Sequence, residues 1–299
     1  MSAGSFGRRR RSRWFDLGAD ALAVVRPNLP RGYACPLCLR LFSTPEGLSV
    51  EHCPPKSVGG RPRILTCTGC NSPHGHKLDA FIRTEADMAE IRAGRRSVRG
   101  RLTQYGKRLN ADITFGPAPG IVVHEGNNPK AVDAALGFVQ RDIEARAIPP
   151  EITLEFAVRH NARKADIAWL RAGYLYAFAA FGYSYLLRSC SRPIADQIAR
   201  PGEELLPALS YRITSTLPER LTIVREPKKL ASVVFTFQNR IVFLPGLGPD
   251  AADFYERMEA YQQDRGTSFF VRGQAFPLLS GPVFLFDLHA RPPGPASGS

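Results

Sequence analysis

Two Cys-x-x-Cys pairs, Cys35/Cys38 and Cys67/Cys70, stand in the first third of this chain. A knuckle of that spacing sets two sulfurs close together, and two knuckles supply the four thiolates of a tetrahedral zinc site. The spacer between them, residues 39–66, is longer than in a usual zinc ribbon. The metal tolerates this because it needs only that the knuckles meet. The alternative, a pair of disulfides, requires an oxidising compartment, and no secretory signal is visible. The expectation is therefore one structural Zn²⁺ in a cytoplasmic protein.

The insert between the knuckles carries more information. Residues 48–52 (LSVEH) alternate like a short strand, residues 54–62 (PPKSVGGRP) form a turn-rich loop, and residues 63–66 (RILT) read as the returning strand. After Cys70 the pattern turns helical, with Leu78, Phe81 and Ile82 on one side. Strand, loop, strand, knuckle and helix make a ββα unit. It places His52 at the end of the first strand and Asn71 at the start of the helix. Cys53 reads as a small buried thiol.

The stretches EHCPPKSVGG and CTGCNSPHGHKLD within this unit resemble the HNH endonucleases, in particular their zinc-stapled four-cysteine subgroup with the ββα-metal fold. Cys67, Cys70, Asn71, Gly75 and Asp79 all match the second stretch, and the likeness covers about fifty residues. It implies metal-dependent hydrolysis of phosphodiester bonds in DNA, with His52 as general base and with Glu51 and Asn71 as ligands of a catalytic Mg²⁺ or Mn²⁺. Imidazole suits the base because its ordinary pKa lies near working pH, and oxygen ligands suit those cations. The sequence departs from the family at its middle Asn, since Arg61-Pro62-Arg63 stands there. His74 and His76 are two candidates for a third metal ligand or a phosphate contact, with His76 preferred; a solvated polar role competes for each.

The net charge is +13, and it is unevenly placed. Residues 1–110 hold 20 Lys and Arg against 8 Asp and Glu, whereas the remainder holds 20 against 19. An anionic partner is expected at the basic third. The candidate phosphate contacts are Lys56, Arg61, Arg63, Lys77, Arg92 and Arg96. A helix continued to residue 97 would put Arg92, Arg95, Arg96 and Arg99 on one face. DNA is the expected partner; RNA presents the same phosphate and stays open. No apolar run reaches the ~20 residues of a membrane span.

The expected architecture is α+β: an N-terminal ββα-metal nuclease domain, then a mixed helix and antiparallel-sheet domain. Residues 1–30 are expected as a disordered basic arm with a short helix, 31–100 as the nuclease domain, 101–150 as connecting strands and a helix, 151–290 as an accessory domain and 291–299 as a disordered tail. Residues 162–188 read as a buried structural helix. Residues 232–238 and 240–244 read as a hairpin turning at Gln238-Asn239. Two functions compete: a DNA endonuclease, or a zinc-containing nucleic-acid-binding protein without catalysis. A third is that the basic half binds structured RNA or a ribosome.

Overall fold

The structure, a computed structural model, describes residues 3–72, 76–147, 151–157, 160–207, 209–248, 251–265 and 271–284. It is an α+β protein whose sheets are small and antiparallel. The chain divides into two compact units, Met1–Ile82 with Asn161–Ser299, and Arg83–His160. These units cut across the boundaries expected from sequence: the knuckle region and the second half of the chain form one body.

That first unit opens with helix α1, Ala3–Val25. Trp14, Phe15, Ala19 and Leu22 are buried along it. The expected disordered arm is thus the first part of a helix. Once an apolar stripe nucleates a helix, propagation through Arg-rich sequence costs little. Strands β1 (Tyr33–Ala34) and β2 (Leu41–Phe42) pair around the first knuckle, and β3 (Leu48–Cys53) pairs with β4 (Arg61–Cys67). The short helix α2 (Thr68–Cys70) and then α3 (His76–Arg92) complete strand, loop, strand, knuckle, helix.

The Gly-Gly of the loop is explained by two different needs. Gly59 has φ +89°, a left-handed conformation that suits glycine, while a Cβ on Gly60 would lie 1.7 Å from the Pro54 carbonyl oxygen. The hairpin loop is then fastened from outside by Gln238 Nε2, which donates to the Val58 carbonyl at 3.2 Å.

The core of this unit is helix α5, Ala162–Phe181, capped by the Asn161 side chain accepting from the Lys164 N–H. From Ile167 to Phe181 every residue is buried, so the helix is covered on all sides. It ends at Gly182, after which α6 (Tyr183–Leu186) starts a separate turn. One side of α5 lies on the long strands β9 (Ser210–Glu226) and β10 (Ser232–Pro245), with Tyr176 against Phe235 at 5.0 Å between ring centres. A third strand, β11 (Arg272–Ala275), pairs with the far side of β9. The expected turn at Gln238-Asn239 is instead the middle of β10. Gln238 takes φ +50° and the register shifts on both sides of it, so the polar pair is absorbed as a bulge. Helices α7 (Arg192–Ala199) and α8 (Phe254–Arg265) complete the unit.

The second unit has a four-stranded sheet in the order β7-β6-β5-β8, built from Gly120–Val123, Lys107–Thr114, Val98–Gln104 and Thr153–Glu155. Helix α4, Pro129–Glu144, is started by Asn128, which caps the Lys130 N–H, and Phe138 stacks on Tyr105 with 5.0 Å between ring centres. Helix α3 stops at Arg92, short of the expected residue 97. Gly94 turns the chain at φ +72°, where a Cβ would meet the Phe115 carbonyl oxygen at 2.3 Å. Arg95, Arg96 and Arg99 therefore do not continue a helical face with Arg92. The expected tail, 291–299, lies outside the described residues. Among the described residues no helix is long and apolar enough to cross a membrane.

Candidate functional site

Cys35, Cys38, Cys67 and Cys70 meet with their sulfurs within 4.8 Å of one another. The Cys38 and Cys67 sulfurs are 3.7 Å apart. A tetrahedral zinc with sulfurs at ~2.3 Å separates them by about 3.8 Å, so this cluster is able to hold a metal such as zinc. One thiol of the four is set to ionise. Cys35 is pulled down to about 5, first by the hydrogen bond from the Cys70 thiol and then by the backbone N–H groups of Cys67, Cys38 and Leu37, while burial opposes it. The same hydrogen bond, with burial, raises Cys70.

The first knuckle is anchored to the second half of the chain. The Tyr183 hydroxyl accepts from the Ala34 N–H at 2.9 Å and donates to the Ala34 carbonyl at 2.7 Å. Tyr33 donates to the Leu65 carbonyl at 2.7 Å, which ties β1 to β4.

Along β3 the expected catalytic residues separate. The register shifts between Glu51 and His52, a bulge near the point where the strand was expected to end. Glu51 is 3% exposed. Its Oε2 accepts from the Thr66 hydroxyl at 3.1 Å and lies 3.1 Å from Nη2 of Arg171. Arg171, on α5, is 2% exposed and reaches Asp79 of α3 with Nη1 at 3.3 Å. One guanidinium thus sits between two carboxylates from the two halves of the ββα unit. Burial raises Glu51 above its ordinary range against the pull of Arg171, and burial likewise raises Asp79, to about 7. Arg171 itself rises despite its burial, because Glu51 and Asp79 oppose the loss of its charge.

Asn71 joins the Glu51 side through a chain of hydrogen bonds. Its Nδ2 donates to the Ser49 hydroxyl at 2.8 Å, and Ser49 donates to the Thr66 carbonyl at 3.4 Å. His52 is half-buried, and its ring makes no hydrogen bond to another described residue. Burial, then Lys56, then Arg10 of α1 lower its pKa, so the ring is neutral and able to accept a proton near neutral pH. Arg10 belongs to the stretch where α1 meets β3: its neighbour Arg11 donates to the Leu48 carbonyl at 3.4 Å.

The donors expected for Mg²⁺ or Mn²⁺ do not form an open site here. Glu51 is committed to Arg171 and Thr66 and is shut from solvent. A full positive charge in a low-dielectric pocket outcompetes water for that carboxylate. His76 begins α3, but its side chain, like all of His74, lies outside the described residues.

The expected phosphate contacts also divide. Lys56, Arg61 and Lys77 are exposed, as are Arg92 and Arg96. Arg63 is 1% exposed, donates to Glu219 and the Leu279 carbonyl, and lies over the Tyr176 ring at 5.4 Å. It is a core residue and does not reach a phosphate, because its side of β4 packs against the second half of the chain. Arg96 pairs with Asp87 and Arg95 with Glu90.

Sequence reasoning missed Arg171 as a partner of the hairpin. The signal was present: Arg171 is the one charged residue in the run Ile167–Phe181, and a charge inside such a run has to find a buried carboxylate. No family model, no curated protein and no solved structure matches this chain.

Proposed function

We propose that this protein is an endonuclease of the HNH kind that hydrolyses phosphodiester bonds in DNA, with His52 as the general base. The observation that carries the reading is His52 itself: a half-buried, neutral imidazole with no hydrogen-bond partner among the described residues, set at a bulge between the cations Lys56 and Arg10 and braced by the four-cysteine knuckles. A base needs a free nitrogen, and a phosphodiester needs cations beside it. A divalent cation, Mg²⁺ or Mn²⁺, belongs to this reading as the source of charge neutralisation at the phosphate. Asn71 keeps its side-chain oxygen for such a role, whereas Glu51 serves Arg171.

That last observation favours a second reading, a zinc-containing nucleic-acid-binding protein without catalysis. A single experiment separates the two. Purified protein is incubated with plasmid DNA, with and without Mg²⁺ or Mn²⁺, beside His52→Ala. The endonuclease reading expects cation-dependent cutting that falls by ~10²–10⁴-fold in the variant, with DNA affinity retained. Parental cutting by His52→Ala, or binding without cutting under every condition, gives the protein to the second reading.

A further inference from the structure

The second unit contains a cavity of about 350 Å³ lined by Met88, Ile91, Arg92, Phe115 and Phe156. Its size lies within the usual range for small-molecule sites. Its walls are apolar and aromatic, and Arg92 is the only charged residue among them. The two phenylalanines touch at 5.6 Å between ring centres, tilted by 59°. Glycines fix their backbones. Gly94 lies against the Phe115 carbonyl, and a Cβ on Gly100 would meet the Phe156 Cβ at 3.2 Å and the Glu155 carbonyl oxygen at 2.7 Å.

Arg92 differs from its neighbours. Arg83 and Arg96 pair with Asp87, Arg95 with Glu90, and Arg99 with Asp112. Arg92 has no acidic partner among the described residues. An exposed guanidinium that lines an aromatic cavity and has no acidic partner among the described residues matches a ligand that is flat and apolar on one side and anionic on the other. Nucleotides have that division, since every base offers a π-face and every linkage a phosphate. Arg is suited to the anion because its fork meets two phosphate oxygens at once.

We infer that this cavity binds a single unpaired base of a nucleic-acid strand, the base lying on Phe115 and Phe156 and its phosphate on Arg92. The site does not depend on His52 acting as a base, and it gives the second unit a role of its own. It predicts a preference for single-stranded or locally opened nucleic acid, because a base stacked within a duplex has no free face to offer.

The test uses the full chain and fluorescence anisotropy with a labelled single-stranded oligothymidylate and a duplex of equal length. Phe156→Ala should weaken single-strand binding by about tenfold or more while leaving duplex binding unchanged. Phe156→Tyr, which keeps the ring, should bind like the parent and controls for misfolding. Arg92→Gln should weaken single-strand binding and reduce its salt dependence. Equal loss on single strand and duplex in Phe156→Ala would overturn the inference. So would parental single-strand affinity in that variant, or displacement of the oligonucleotide by a medium-chain fatty acid but not by thymidine monophosphate.

Discussion

The β3–β4 hairpin is held at two places by opposite kinds of chemistry. Near the Leu48–Cys67 end, four thiols converge in a cluster able to hold a metal ion. Near its middle, two carboxylates converge on a cation that the chain supplies, Arg171. Both places need a positive charge to hold negative ligands together. The sulfurs would have to recruit it, and the carboxylates already own it. The difference decides what each can do. A recruited ion can be lost or exchanged, whereas Arg171 is locked in by α5 and makes its cluster part of the core.

The largest effect is expected from emptying the thiol cluster. Cys67→Ser together with Cys70→Ser removes half of the ligands. Metal binding in such sites is folding free energy and is worth ~10 kcal/mol or more. Elemental analysis should find about one zinc per chain in the parent and none in the variant. Circular dichroism should show the variant losing structure, and a chelator should do the same to the parent. A metal-free protein with parental stability would make the two places equivalent after all, both self-sufficient.

Removing the built-in cation should cost less but still much. Arg171→Met leaves Glu51 buried without its partner, which typically destabilises by about 3–5 kcal/mol. Adding Glu51→Leu should recover most of that loss, since a buried ion pair replaced by apolar groups is often neutral or better. Urea unfolding midpoints measure both steps. If Arg171→Met alone were neutral, the cluster would be wet and loose, and Glu51 would be free to hold a divalent cation after all.

How much of this was legible in the sequence follows from the same comparison. The thiol cluster was readable because each knuckle is local: Cys35 and Cys38, or Cys67 and Cys70, need only a turn to present their sulfurs together. The hairpin was readable for the same reason, through its alternation and the Gly59-Gly60 corner. The Arg171 cluster joins residues 120 positions apart, and nothing local to Glu51 announces its partner. Identical reasoning misplaced Arg63, whose burial is set by Glu219 and Tyr176 from the far half of the chain. It also misread Gln238-Asn239, where a turn-like pair lies within a strand pinned by β9 on either side of it. Local chemistry was visible and tertiary pairing was not. The unexpected grouping of residues 1–82 with 161–299 is the large-scale form of that lesson.

The smallest expected effect bears on His52, the residue of the hairpin that neither cluster uses. Its folded pKa lies below the ordinary 6.5, with burial as the first cause and Lys56 and Arg10 following. The sign is fixed by which form the fold prefers. A histidine lowered in the folded state contributes stability that is present above 6.5 and lost as pH falls through the lower folded value. If His52 is the base, the same shift keeps the ring competent at lower pH, so the acid limb of the rate against pH should lie below 6.5. Lys56→Met should move that limb upward but not all the way, because burial is untouched. Adding Arg10→Met should move it further. The measurement is single-turnover cleavage across pH 5–8 with the cation held constant, beside a titration of the His52 ring by NMR. A ring that titrates at 6.5 in the parent would mean that it is solvated and unperturbed. A limb that ignores Lys56→Met while the ring's pKa does move would show that the rate is set by another group, which would leave His52 a bystander between two clusters that hold the hairpin without it.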